Sequence, residues 1–288
     1  MKSIKITTVK KQVEKLIAEA SFNLPPDIIS AIKHSLAAET SPVAKKILGY
    51  ILENEQVARK EKLPLCQDCG TVYISLGIGS DVCIEESGRL YRELNDAVAS
   101  AYSSNYLRKS IVDDPLYGRK NTGTNTPAIV STSFTGRQGI SVEVHLKGGG
   151  SENCSYLRML NPSSGPEAII EEVKSIVEEN VTKCCPPVII GLGIGSTASG
   201  VTSLARKASF RNLDIRNADP RYRQLEQQIL SKINSLGIGP QGLGGNTTAL
   251  ACNIEVAPCH MATLPVAVFL GCHSLRRVSA KISPPYTS

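Results

Sequence analysis

Apolar residues near the start of the chain recur at helical spacing. Val9, Val13, Leu16, Ile17 and Ala20 share one helix face, and the turn Leu24-Pro25-Pro26 closes the run. Ser41-Pro42 opens a further helix through Ile47, Ile51 and Val57, because a proline in the first helical turn forfeits no hydrogen bond. From Leu63 onward the period changes. Short apolar runs over 71–78, 128–134, 140–146, 188–192, 250–256 and 266–270 read as strands, several ending in glycine-rich turns, with helical patterns near 93–109, 167–182, 200–210 and 220–236 between them. This alternation predicts an α/β fold, with an N-terminal helical cap over 1–62 and a mixed α/β body over 63–288. No internal repeat, coiled coil or low-complexity linker stands out.

Composition narrows the function classes. At 288 residues, with 41% hydrophobic and 20% charged, the chain can bury a large core. The net charge of +6 is scattered over the sequence, with no basic arm interleaved with aromatics, so nucleic-acid binding has no support and a small anionic substrate fits. No run approaches the roughly 20 apolar residues that span a bilayer, and Met1-Lys-Ser-Ile-Lys-Ile is no signal segment, so a cytoplasmic protein without a membrane partner is expected. The nine cysteines are odd in number and irregular in spacing. They suit reduced thiols or metal ligands better than a disulfide framework.

Local patterns give competing readings. Gly237-Ile-Gly-Pro-Gln-Gly242 has dinucleotide-fingerprint spacing, but it follows a helix end and carries Pro240 where the fingerprint needs a helix to start. Gly191-Leu-Gly-Ile-Gly195 follows an apolar strand and precedes a helix, so its amides could hold an anion such as a carboxylate or a cluster. Cys66-Gln-Asp-Cys69 alone would suggest a redox pair or half a zinc site. The pairs Cys259-His260 and Cys272-His273 could be two halves of another, although neighbours on a strand point to opposite faces. Cys83, Cys154, Cys184 and Cys252 read as small buried hydrophobes.

Five stretches change the picture when taken together: Pro64-Leu-Cys-Gln-Asp-Cys-Gly-Thr71, Lys120-Asn-Thr-Gly-Thr-Asn-Thr-Pro127, Lys147-Gly-Gly-Gly-Ser-Glu-Asn153, Cys185-Pro-Pro187, and Pro258-Cys-His-Met-Ala-Thr-Leu-Pro265 through Gly271-Cys-His273. In this order they resemble the class I fumarate hydratase family, and more narrowly the α subunit of its two-subunit form, whose relatives include L-tartrate dehydratase. The resemblance implies a [4Fe-4S] cluster held by Cys66, Cys185 and Cys272, with one iron left open as a Lewis acid. It implies a hydro-lyase that interconverts fumarate and (S)-malate, a tricarboxylic acid cycle reaction, and a β subunit in an α2β2-type heteromer. Substrate contacts are expected from Gln67, Asp68, Arg108, Gly149 and His260, with Asp68 and His260 catalytic. Asn121 to Asn125 and Lys147 to Asn153 would form a cradle, and Lys183, Arg276 and Arg277 could offset cluster charge. Two alternatives stay open: a tartrate or other 2-hydroxy-dicarboxylate dehydratase, and a non-catalytic iron–sulfur or redox sensor switched by Cys66 and Cys69.

Overall fold

The computed structural model describes residues 2–283. In chain order its elements are β1 (Lys2–Ile4), α1 (Ile6–Phe22), α2 (Pro26–Ala38), α3 (Pro42–Glu61), β2 (Thr71–Gly79), β3 (Val82–Ile84), α4 (Leu90–Ser104), β4 (Ile129–Thr135), β5 (Ile140–Lys147), the single turn α5 (Gly149–Glu152), β6 (Ser155–Leu160), α6 (Gly165–Asn180), β7 (Val188–Ser196), α7 (Ala198–Ser209), α8 (Pro220–Asn234), β8 (Ala249–Cys259), β9 (Leu264–Gly271) and β10 (Arg276–Ile282). The mixed α/β class expected from the pattern is present, and each of the six apolar runs lies largely within a strand. Among the described residues no helix is long and apolar enough to cross a membrane.

The chain forms two compact units. One takes the residues up to Leu24, Val57–Gly149 and the residues from Arg276; the other takes Pro25–Gln56 and Gly150–Leu275. In the first, the sheet order is β10-β5-β2-β4, antiparallel at its first two pairings and parallel at the last. Strand β5 shows why it forms: Ile140, Val142, Val144 and Leu146 are fully buried, while Ser141, Glu143 and His145 alternate onto the opposite face. That apolar face packs with Val9, Val13, Leu16 and Ile17 of α1 and Leu94, Ala97 and Val98 of α4. Each such Val, Leu or Ile contributes about 1.5–3 kcal/mol on burial. In the second unit the order is β6-β9-β7-β8, again antiparallel twice and then parallel. Val173, Ile176 and Val177 of α6 and Leu225, Ile229 and Ile233 of α8 cover one face of it. Helix α7 covers the other through Val201 and Ala205 against Ala267.

Both four-stranded sheets follow one plan, which the sequence did not reveal. A central strand (β2 or β7) leads through helix to a parallel neighbour (β4 or β8), and the next strand (β5 or β9) returns antiparallel on the other side. The fourth strand is exchanged along the chain. Strand β5 is followed by β6 of the second unit, and β9 by β10 of the first. The central strands share Leu-Gly-Ile-Gly, at Leu76–Gly79 and Leu192–Gly195. Because each repeat is interrupted, no fixed-period self-similarity survives in the sequence.

Two expectations are corrected. Gly191 to Gly195 is no anion loop, since it lies inside β7, paired to β8 throughout and to β9 as far as Ile194. The glycines serve close helix packing: a Cβ on Gly191 would lie 2.4 Å from the Ala205 carbonyl oxygen, and one on Gly193 would lie 2.4 Å from that of Val201. The helix expected to run to residue 109 stops at Ser104. Asn105 turns its amide back to the Ala101 carbonyl at 2.8 Å, and Tyr106 takes a φ of +53°, which ends the helical ladder and puts Arg108 in a loop.

Candidate active site

The shared plan explains where the chemistry gathers. In the first unit β2 begins where β5 ends, with Thr71 opposite Lys147, and β10 begins there too, with Arg276 opposite Leu146. The loop holding Cys66, Gln67 and Asp68 therefore meets the glycines after β5 and the first residue of β10. In the second unit β7 begins where β9 ends and β6 begins, with Ile189 opposite Gly271 and Ser155 opposite Phe269. That end collects Cys185, Cys272, His273 and Ser151.

In the first unit the Cys66–Gly70 loop is held by buried polar groups. Gly70 has a φ of +84°, and a Cβ there would lie 2.7 Å from the Lys147 carbonyl oxygen, so only glycine fits. Tyr102 donates its hydroxyl to the Cys69 and Gly70 carbonyls, 3.0 Å from each, and burial pushes its phenol pKa up. Fully buried Asn125 donates to the Gly70 carbonyl at 3.1 Å and accepts from the Ser110 amide at 2.7 Å, tying this loop to the one after α4. Asp68 accepts from the Gly70 amide at 3.0 Å and from the Gly149 amide at 2.6 Å, one on each carboxylate oxygen. Arg108 donates a guanidinium hydrogen to the Gln67 side-chain oxygen, which leaves the Gln67 NH2 as a donor beside a cation. Its backbone amide donates to the Cys69 sulfur at 3.2 Å. Cys69 is buried and burial pushes its thiol pKa up, whereas Cys66 is only half-buried.

In the second unit the paired cysteines separate cleanly. Cys184 is 1% exposed, and its sulfur lies 3.4 Å from the Ser151 hydroxyl and from the Leu270 carbonyl. A hydrogen bond with Cys154, reinforced by burial, pushes its pKa well up, so the thiol stays protonated. Cys185 is exposed with a φ of +51°. His273 Nδ1 donates to the Cys185 carbonyl at 2.9 Å, and burial holds the ring's pKa below its ordinary value, so it is neutral. Gln241 donates to the Pro186 carbonyl through its backbone amide at 2.8 Å and its side-chain amide at 2.9 Å. The Cys272 amide donates to the Ser151 hydroxyl at 3.2 Å. His260 sits exposed in the turn between β8 and β9, where Nδ1 accepts from the Ala262 amide at 3.1 Å. With Nδ1 accepting, the ring's N–H donor is Nε2.

Across residues 10–281 the chain matches the family model described as "Fumarate hydratase (Fumerase)". The chain belongs to the fumarate hydratase family. Among curated members it is 38% identical over 274 residues to a "Putative L(+)-tartrate dehydratase subunit alpha" of Methanocaldococcus jannaschii, covering 94% of this chain and 96% of that one. It is 33% identical over 267 residues to the "L(+)-tartrate dehydratase subunit alpha" of Escherichia coli strain K12, covering 92% and 88% respectively. Within the fumarate hydratase family it is thus a hydro-lyase chain of the α-subunit type.

The iron–sulfur expectation for this family can be tested on the donors. Among the described residues no three His, Cys, Asp or Glu side chains crowd round one point as for a single ion. A four-iron cluster places its thiolates on separate irons and needs no such crowding. Each unit offers accessible thiols on tethered loops, Cys66 in one and Cys185 and Cys272 in the other, while Cys69 and Cys184 are buried. Buried Arg276, beside the Cys66 loop, also carries N–H groups without a hydrogen-bond partner among the described residues, which suits a neighbouring anionic group. The donor set fits.

Sequence reasoning passed over Tyr102; it named Ser151 only within the Lys147 to Asn153 cradle, Gln241 only within the Gly237 to Gly242 fingerprint, and His273 only as half a zinc site and the end of a family stretch. Gln241 sits in a glycine-rich turn between Pro240 and Gly242, where the structure gives it a φ of +55°. Thiol accessibility gives a direct check. Iodoacetamide on the folded, unloaded chain is expected to label Cys185 and Cys259 first, with Cys69, Cys154, Cys184 and Cys252 protected until unfolding. Peptide mapping that finds Cys184 labelled as fast as Cys185 would contradict this geometry.

Proposed function

We propose that the chain is the α subunit of an iron–sulfur dehydratase of 2-hydroxy dicarboxylates, with L(+)-tartrate preferred to (S)-malate. The Cys66-Gln67-Asp68 loop carries the reading, because it sets a half-buried thiol, an amide-held carboxylate and an arginine–glutamine donor pair on consecutive residues and their partners. The tartrate preference rests on the names of the relatives, and the reaction class on the family. A [4Fe-4S] cluster held by Cys66, Cys185 and Cys272 would supply, when bound, a Lewis-acidic iron that makes the substrate hydroxyl a better leaving group.

The chain's own residues supply recognition and proton handling. Arg108 and the free Gln67 NH2 take one substrate carboxylate. Asp68 keeps further acceptor sites after its two amide contacts and moves the proton from the carbon next to that carboxylate. The Gly149 amide donates to Asp68, so Gly149 acts on the substrate through that carboxylate. His260 presents Nε2–H as a donor. A β subunit, implied by the relatives' subunit names, completes the substrate site.

Anaerobic reconstitution with the β subunit tests this. A kcat/KM for L(+)-tartrate at least about tenfold above that for (S)-malate is expected, a difference of about 1.4 kcal/mol in transition-state binding. The reverse order would assign the chain to fumarate and malate. A fully loaded complex that turns over neither would sink the enzyme reading and favour the sensor.

A further inference from the structure

Arg276 opens β10 and is 1% exposed, the largest side chain buried to that degree among the described residues. Its Nη2 donates to the Asp68 main-chain carbonyl at 3.0 Å. Its Nε and Nη1 are buried and have no hydrogen-bond partner among the described residues. The Asp68 carboxylate does not neutralise it by direct contact, being held instead by the Gly70 and Gly149 amides. A guanidinium cannot shed its proton, and a buried charge with unsatisfied donors is among the costlier arrangements a fold can keep. Such a group calls for a specific explanation, and a bound anion is one that would complete it.

We infer that Arg276 is the buried counter-cation of the Cys66–Asp68 loop, its Nε and Nη1 donors reserved for the anionic thiolate-ligated cluster which that loop helps to hold. This rests on the iron–sulfur reading and goes further by naming the residue that sets the charge of the site. Arg276 is a positioning residue, since Nη2 fixes the loop at Asp68 while its charge stays within the site. Two consequences follow from charge alone. Loading relieves an uncompensated cation, so part of the stability gained on loading comes from Arg276. A fixed positive charge also favours the more negative, reduced state, so removing it lowers the reduction potential.

The experiment compares wild type, Arg276→Met and Arg276→Lys as complete chains with the β subunit, unloaded and anaerobically loaded with iron and sulfide. Unloaded Arg276→Met is expected to melt no lower than unloaded wild type, because it loses an orphaned charge, and to gain less on loading. Its cluster is expected to be harder to reduce by about tenfold in the equilibrium, about 59 mV for one electron. Arg276→Lys, which keeps the charge, holds its potential near wild type; should the Met variant not fold, Arg276→Gln is the neutral comparison. Equal potentials in wild type and the neutral variant, with equal gains on loading, overturn the inference while leaving the cluster reading intact. A wild-type complex that takes up no iron overturns both.

Discussion

Alanine at Cys66, Cys185 or Cys272 is expected to remove nearly all acid-labile sulfide from the anaerobically purified complex, and its turnover with it. Under the proposed ligation two protein anchors then remain where three are needed, and an under-held cluster is lost to solvent. The contrast with the other cysteines makes the result specific. Cys184→Ala removes a buried sulfur packed on Ser151 and Leu270 and should cost about 1–2 kcal/mol in stability while leaving cluster content unchanged. Cys83→Ala and Cys252→Ala should likewise keep full iron and sulfide. Full cluster content in Cys185→Ala would transfer that ligand to Cys184 and require the buried sulfur to turn outward, abandoning both of its contacts.

The expected architecture was legible where side chains alternate or run apolar, and failed where they do not. Strands β6 and β10 were missed because both lie at sheet edges and carry Arg158, Arg276, Arg277 and Lys281 amid their apolar residues, so half their surface reads as loop. In β7 the alternating glycines mimic a turn. Only the position of α7 shows that missing Cβ atoms, rather than a bend, were required. The proposed ligands and substrate residues announced themselves through short motifs, but the groups holding those motifs did not. Tyr102 reaches the Gly70 carbonyl across 32 positions, and Arg276 reaches Asp68 across 208. Which carbonyl a buried tyrosine or arginine meets depends on strand register, and no local pattern encodes it. The exchange of β6 and β10 adds to this, because it builds each site end from chain segments far apart in sequence.

Asp68→Asn is expected to lower kcat by about 10²–10⁴, the range for removing a positioned acid–base group, with little change in iron content. The substitution is nearly isosteric, yet it fails for two separable reasons. An amide cannot accept the substrate proton as a carboxylate does. It also has one oxygen where Asp68 uses two, so its NH2 must face either the Gly70 or the Gly149 amide, donor against donor. The second effect should appear as about 1–3 kcal/mol of lost stability in the unloaded chain. Asp68→Ala separates the two, since it removes the donor clash but leaves both amides unpaired and supplies no proton acceptor. Its kcat should be as low as that of the Asn variant even where its melting temperature differs. If the two variants ranked by stability in turnover as well, Asp68 would be only a brace for the Cys66 loop. If both kept wild-type kcat, proton transfer would belong to His260 and the β subunit, and the carboxylate would matter solely for the geometry it imposes on Gly149.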